Sequence, residues 1–157
     1  MSVAIEVLEW DGNLLDACFL CAVLCLCRVR LPTISVSGSS GERASVRIHA
    51  PHEKPPKPLS VHHVPVCVTF FSVLGRSLLD PCGKEEKLSD SRVTVCMNVF
   101  GDLCGLHTHG AVGLQEAELA ALFDVALTKV RALTSYVRGL EELDTSAAQI
   151  FPDREPR

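Results

Sequence analysis

The sequence predicts an α+β fold in which helices cover a mixed β-sheet. Three observations support this prediction: an apolar helix early in the chain, several β-branched runs in the middle, and one long amphipathic helix near the end. The 157 residues suffice for one compact domain, and hydrophobic residues make up 47% of them. This composition is typical of a folded globular protein rather than a disordered one.

The chain begins with a short strand-like segment and a turn. Residues 3–10 (Val-Ala-Ile-Glu-Val-Leu-Glu-Trp) predict a strand, for which no earlier strand offers a pairing partner. Asp11-Gly12-Asn13 predicts a turn whose side-chain oxygens can cap a helix. We therefore expect the chain to be one half of a larger fold, with an open edge that other strands cover.

A strongly apolar helix follows this turn. We predict it from about Leu14 to Arg28, because Pro32 prevents further continuation. Apolar residues occupy nearly every side, so we expect burial on nearly every side. Ala17–Cys27 gives only eleven uninterrupted apolar residues, whereas a membrane-spanning helix needs roughly 20. Acidic residues precede the run, which is unlike a secretory signal, so we expect an intracellular protein with no membrane partner.

Six short runs, most of them rich in β-branched residues, predict the strands of the sheet. Gly38-Ser39-Ser40-Gly41 separates the first two runs, a proline-rich loop covers residues 51–58, and Phe100-Gly101-Asp102 joins the last two runs as a hairpin. The predicted strands are Thr33–Ser37, Ala44–His49, Val64–Val73, Ser77–Asp80, Arg92–Val99 and Leu103–Thr108.

The clearest element is the long closing helix. Its apolar residues recur at spacings of three and four, which predicts one stripe packed against the sheet. Two prolines and mixed charge predict a disordered tail over residues 144–157. The stripe consists of Leu119, Leu122, Ala126, Val130, Leu133, Val137 and Leu140.

Eight cysteines and several histidines raise the question of a metal site. Four cysteines lie within residues 18–27, and one helix cannot fold four ligands around an ion. We interpret them as core residues, and most of the eight as small buried residues of a reducing compartment. His62 and His63 would point to opposite faces of a strand. His107 and His109 share a face, so a metal there stays a weaker alternative, and we expect neither metal nor cofactor.

The charge limits how the protein can bind nucleic acid. A formal net charge of -4 excludes a strongly basic protein that grips the phosphate backbone unaided. The candidate RNA contacts are Arg43, Arg47, Lys54 and Lys57, which flank the proline loop. The alternatives are contact with a neighbouring protein and a solvated loop without a partner.

Three segments resemble the RNase PH-like subunits of the RNA exosome ring. Residues 11–17 (Asp-Gly-Asn-Leu-Leu-Asp-Ala) are similar to the helix-opening motif of that family. Residues 59–68, with their His-His-Val-Pro sequence, resemble the segment that enters the second half of the fold, and most resemble the PM/Scl autoantigen type. Leu79-Asp80-Pro81, Glu85-Glu86 and Val95–Asn98 are similar to its strand-loop-strand.

The resemblance runs from about residue 3 to residue 142. It implies an RNase PH-like fold (of the ribosomal protein S5 domain 2-like kind) truncated at the N-terminal side. Residues 1–31 would end the first half of that fold, and residues 32–143 would form the second half.

The resemblance also implies a degenerate active site. Active members carry two aspartates six residues apart where this chain has Asp80 and Glu86, and a Gly-Gly-Thr-Arg-Thr-like run where it has Gly12–Asp16. An arginine-bearing phosphate site has thus become apolar and acidic at Asp16. As an alternative, Asp80 and Glu86 cap a turn or pair with Lys84 and Lys87.

From the resemblance we expect a non-catalytic subunit that supports the exosome ring and lines its RNA path during 3′–5′ RNA processing and degradation, including rRNA maturation. The implied partners are other RNase PH-like ring subunits, cap subunits and single-stranded RNA, in the nucleus (nucleolus) and cytoplasm. The alternatives are a phosphorolytic 3′–5′ exoribonuclease and a chain that does not assemble at all.

Overall fold

The structure of the protein, a computed structural model, describes residues 2–37, 45–110, 113 and 115–150, with the backbone alone for residues 140–150. The chain divides into two compact units, Met1–Ala22 with His63–Arg157, and Val23–His62. The elements in chain order are α1 (Leu14–Arg28), β1 (Arg30–Leu31), β2 (Ile34–Ser37), β3 (Ser45–Ile48), β4 (Lys57–Pro58), β5 (Val66–Val73), β6 (Arg76–Leu79), α2 (Gly83–Glu86), β7 (Ser91–Met97), β8 (Leu103–Gly110) and α3 (Glu116–Ile150).

A four-stranded sheet of order β6-β5-β7-β8 forms the centre of the first unit. The register places Val68 of β5 opposite Val95 of β7. β7 and β8 form the predicted hairpin, in which the side-chain oxygen of Asn98 accepts the backbone N–H groups of Phe100 and Asp102. The α+β prediction is confirmed, but within the described residues the sheet is antiparallel rather than mixed, because every strand pair there is antiparallel.

The hydrophobic core lies between this sheet and α3. Alternate residues of β5 and β7 face the helix, because successive side chains of a strand point to opposite sides. The predicted stripe on α3 supplies the other wall of the core, and its Leu140 lies outside the side chains that the structure describes. The core cluster comprises Val66, Val68, Phe70, Val93, Val95, Met97, Leu122, Ala126 and Val130.

The opposite face of β5 and β7 carries polar and thiol groups. Thr69 and Thr94 are a buried cross-strand pair whose hydroxyl oxygens lie 2.9 Å apart, within hydrogen-bond distance. Cys67 and Cys96 form the neighbouring pair on the same face. This face also contacts the first turn of α1 through Asp16, which makes it the setting of the candidate site.

Helix α1 has the predicted bounds but not the predicted burial. Only Val23 is buried among its fifteen residues, and Cys21 and Cys25 are exposed. A helix that is apolar all round needs neighbours all round, and the described chain does not supply them. The interpretation of Cys18–Cys27 as core is therefore wrong for this structure. No helix within the described residues is both long and apolar enough to span a membrane.

The strand predicted for residues 3–10 does not form. Backbone groups of a strand need a partner, and none of the described strands pairs with this segment. Its large apolar side chains remain accessible: Leu8 is 91% exposed and Trp10 is 51% exposed.

The second unit contains two separate pairs of short strands. β2 pairs with β3, with Ile34 opposite Ile48, and β1 pairs with β4 at the end of the predicted proline loop. The turn predicted at Gly38–Gly41 lies outside the described residues.

The closing helix is longer than the sequence pattern predicts. It ends at Ile150, so residues 144–150 are helical rather than part of a disordered tail, and residues 151–157 lie outside the described residues. The first proline after the start of α3 is Pro152, so nothing earlier forces the helix to stop.

The two units divide the chain differently from the domains predicted at residues 1–31 and 32–143. Residues 1–22 group with the chain from residue 63 onward. Hydrogen bonds between Asp16 and Thr69 are among the contacts that join these two segments.

Two valines of α3 provide a test of this core. Val130 is fully buried and Val125 is 42% exposed, so replacing each with alanine removes the same atoms from different surroundings. We expect Val130→Ala to lower the free energy of unfolding by about 2 kcal/mol and Val125→Ala to change it by less than about 0.5 kcal/mol. Urea denaturation of the purified protein measures both, and equal losses would contradict the described packing.

Candidate functional site

Two turns meet at the candidate site. The Gly12 backbone has a φ angle of +94°, and a Cβ atom there would overlap the carbonyl oxygen of Pro81. The backbone N–H of Gly83 donates to Asp11 Oδ1 at 2.9 Å. The turn before α1 therefore lies directly against the turn before α2, and only glycine fits at position 12.

Asn13 lies among the three residues that the sequence marks as degenerate active-site positions. Its backbone N–H donates to Glu86 Oε2 at 3.1 Å. Its side-chain amide nitrogen donates to Asp16 Oδ2 at 3.2 Å and to Asp80 Oδ1 at 3.4 Å. Asn13 adopts a φ of +42°, a left-handed conformation that asparagine tolerates better than most residues. The structure thus brings Asp16, Asp80 and Glu86 together around one asparagine.

The Asp16 carboxylate is held by the central strand. Oδ2 accepts the backbone N–H of Thr69 at 2.7 Å, and Oδ1 accepts its hydroxyl at 2.6 Å. The pairing of β5 with β6 begins at Phe70, one residue after Thr69. The backbone N–H of Thr69 therefore has no partner on β6. Asp16 therefore satisfies a backbone donor that would otherwise be unpaired.

Glu86 pairs with Arg92 rather than with Lys84 or Lys87. Arg92 Nη1 lies 3.6 Å from Glu86 Oε1, and the Glu86 side chain is only 19% exposed. Asp80 has Asn13 as its partner. The alternative that these two acidic residues pair with the nearby lysines is therefore wrong for the described contacts.

A cavity of about 430 Å³ opens beside these residues. Its walls are mainly aliphatic, and its charged groups are two carboxylates and one lysine. An anion that entered would meet the carboxylates, which disfavour it. The lining residues are Gly12, Asn13, Asp16, Ala17, Leu20, Val66, Cys67, Val68, Thr69, Leu79, Asp80, Lys129 and Leu133.

Metal ligation finds little support in this geometry. Within the residues that the structure describes, no group of three or more His, Cys, Asp or Glu side chains could hold a metal ion. Both oxygens of Asp16 already accept hydrogen bonds. His49, a buried histidine, hydrogen-bonds Ser35 and Glu53 instead.

The candidate RNA contacts lie apart from this cluster in the chain, in the second unit. Arg47 is exposed but pairs with Glu53 at 3.1 Å. Lys54 Nζ donates to Ser35 Oγ at 3.3 Å, and Lys57 is exposed on β4. Arg43 lies outside the described residues.

Sequence reasoning missed four members of the site: Asn13, Thr69, Thr94 and Arg92. A signal existed for Thr69 and Thr94, since each is a polar residue flanked by apolar residues within a strand. For Asn13 the sequence predicts only a turn and capping role, because its contacts with Asp80 and Glu86 span 67 and 73 positions along the chain.

Comparison with known proteins finds a family model that matches part of the chain. Residues 63–129 match the model of the 3′ exoribonuclease family, domain 2. The chain contains an RNase PH-like domain. The matched range of that domain includes Asp80, Glu86 and Arg92, and residues 11–17 precede it.

Relatives with similar sequences are exosome subunits. The chain is 32% identical over 144 residues to exosome complex component RRP45 of Danio rerio, and the aligned region covers 90% of this chain and 35% of the relative. The Homo sapiens RRP45 is 34% identical over 137 residues, and the aligned region covers 86% of this chain and 30% of that relative. The predicted resemblance to the exosome subunits is confirmed, and the chain spans about a third of the length of these relatives.

A solved structure extends the likeness to the fold. The Archaeoglobus fulgidus exosome with RNA bound to the active site superposes with a TM-score of 0.63 at 26% identity, over 82% of this chain and 45% of that chain. The RNase PH-like fold predicted from the sequence is therefore confirmed.

Alanine at Gly12 tests the contact between the two turns. Gly12 and Gly75 both have positive φ angles, but nothing lies within 4 Å of a Cβ atom at Gly75. Both substitutions carry the conformational cost of about 1–2 kcal/mol. We expect Gly12→Ala to lower the free energy of unfolding by at least about 2 kcal/mol more than Gly75→Ala does, because of the overlap with Pro81. Thermal or urea unfolding measures both losses. Similar losses would mean that the turns are not in contact.

Asparagine at Asp16 tests the carboxylate. Asp16→Asn keeps the shape but places a donor against the groups that donate to it, so we expect a loss of about 2 kcal/mol in the free energy of unfolding. Asp124→Asn is the matched control, because Asp124 is exposed on α3 and should lose almost nothing. Equal stability of the two variants would show that the Asp16 contacts do not contribute.

Proposed function

We propose that the protein is a non-catalytic subunit of the RNA exosome core ring, where it holds neighbouring subunits and lines part of the RNA path. The observation that supports this proposal most directly is the Asp16 carboxylate, hydrogen-bonded twice to Thr69 in a cavity whose walls are mainly aliphatic.

The charges of the site argue against phosphorolysis. That chemistry needs cationic or N–H groups that hold phosphate, because charge develops on its oxygens. Here Asp16 and Asp80 face the cavity, and Glu86 pairs with Arg92, the arginine of the site. A phosphate in the cavity would meet these two carboxylates and a single lysine, Lys129, and Arg92 could bind it only after the ion pair with Glu86 breaks.

Accessible apolar surface supports a role in assembly. Leu8 and Trp10 are exposed in the first unit. In the second unit, Ile48 is 68% exposed and faces Ile34, which is 56% exposed, across the β2–β3 pair. Clusters of exposed apolar residues are typical of surfaces that bind other proteins. The proposed partners are other RNase PH-like ring subunits and cap subunits.

The RNA contact that we propose is modest and non-specific. Lys54 and Lys57 are exposed without a carboxylate partner in the described contacts, whereas Arg47 already pairs with Glu53. Such lysines can attract phosphates of single-stranded RNA without reading its sequence. In this role the protein would support 3′–5′ RNA degradation and rRNA processing in the nucleus (nucleolus) and cytoplasm.

Recovery of the protein from its own cells tests the assembly. We expect a tagged chain to bring down the other ring subunits in near-equal amounts, measured by quantitative mass spectrometry. Recovery of chaperones alone would overturn the assembly proposal.

The purified assembly should release no nucleoside diphosphates from RNA when inorganic phosphate is added. Phosphate-dependent release that disappears in the Asp80→Asn variant would instead support the phosphorolytic alternative.

The two lysines allow a separate test of RNA binding. We expect the assembly with Lys54→Ala and Lys57→Ala to bind single-stranded RNA more weakly, because each lysine contributes one phosphate contact. The slope of log affinity against log salt should then fall in magnitude by about 1.4, or about 0.7 per lost contact. Arg138→Ala, an exposed cation on α3, is the control. If the double lysine variant and Arg138→Ala gave the same slope, Lys54 and Lys57 would not contact RNA.

A further inference from the structure

Two thiols lie side by side on the polar face of the sheet. Cys67 of β5 and Cys96 of β7 are directly opposite each other in the antiparallel register. Cys67 is 8% exposed and Cys96 is partly buried, and neither is in a disulfide. The function proposed above uses neither sulfur.

The backbone spacing at this pair suits a disulfide. Thr69, two residues further along β5, donates its N–H to Asp16 instead of β7. Backbone directions alternate along a strand, so Cys67 also directs its N–H and C=O away from β7. Cys67 and Cys96 are therefore a non-hydrogen-bonded pair, with Cα atoms about 4.5 Å apart. That separation falls within the range of about 4.4–6.8 Å that disulfides span.

The side chains are also oriented toward each other. Cys67 donates a side-chain hydrogen bond to Cys96. Burial raises the pKa of both thiols, and the hydrogen bond from Cys67 opposes this rise at Cys96. Cys104, the third thiol nearby, donates to the Asp102 carbonyl oxygen at 3.6 Å.

We propose that Cys67 and Cys96 form a reversible cross-strand disulfide when the protein meets a peroxide. The Cys96 sulfur attacks one peroxide oxygen, the O–O bond breaks, and the thiol proton leaves with the other oxygen as water. The Cys67 sulfur then attacks the sulfenic acid sulfur of Cys96, the S–O bond breaks, and a second water leaves with the Cys67 proton. Two thiols and one hydrogen peroxide thus give one disulfide and two waters.

The cross-link would connect the thiol pair to the candidate site. It closes a covalent loop from residue 67 to residue 96, which contains β6, α2 and both Asp80 and Glu86. Cys67 also lines the cavity beside Asp16. Oxidation would therefore fasten the end of the sheet on which the site is built, a consequence that does not depend on exosome membership.

Peptide mapping of the 157-residue protein tests the proposal. After treatment with hydrogen peroxide, the remaining thiols are alkylated under denaturing conditions, and the protein is digested without reductant. We expect mass spectrometry to find the peptides of Cys67 and Cys96 linked, two hydrogens lighter than their sum, and separated again by dithiothreitol. Recovery of both residues in alkylated form, or linkage of Cys96 to Cys104, would overturn the proposal.

Variants separate this pair from the other thiols. Cys96→Ala should leave Cys67 alkylated after the same treatment. Cys82→Ala and Cys104→Ala are the controls and should keep the full yield of the linked peptides. Loss of the link in Cys104→Ala would also contradict the direct route from Cys96 to Cys67. The mapping of the unchanged protein decides the question even if one variant does not fold.

Discussion

The hydrogen bonds from Thr69 to the Asp16 carboxylate determine how the first unit is organised. They join the first turn of α1 to the central strand at the point where β6 no longer covers it. Through Asn13, the same carboxylate is linked to Asp80, and the Asn13 backbone reaches Glu86. A backbone donor without a strand partner thus explains why segments more than 50 residues apart converge.

This arrangement has a chemical consequence. The Asp16 carboxylate, which accepts the free backbone N–H of β5, also places negative charge beside the cavity. Arg92, the arginine of the same cluster, forms an ion pair with Glu86. The same Asp16 carboxylate therefore satisfies the backbone of β5 and disfavours phosphate in the cavity. In this RNase PH-like fold, Asp16 and Asp80 accept internal hydrogen bonds, and Glu86 forms an ion pair with Arg92.

The distribution of apolar surface follows a similar logic. The core between the sheet and α3 is closed, with Val95 and Val130 fully buried. Helix α1 and residues 3–10 have equally apolar sequences, yet most of their side chains remain accessible. Apolar area gains free energy only when something covers it, and this exposed area is the basis of the assembly role proposed above.

The sequence by itself determined the local elements, the core stripe of α3 and the family resemblance. Helical and strand periods are short-range patterns, so the bounds of α1 and the β7–β8 hairpin followed from composition and turn residues alone. Tertiary structure decided what touches what: the exposure of α1, the missing strand at residues 3–10, and the contacts of Asn13 and Arg92. Burial and pairing depend on partners that are distant in sequence, and no local pattern records whether those partners are present.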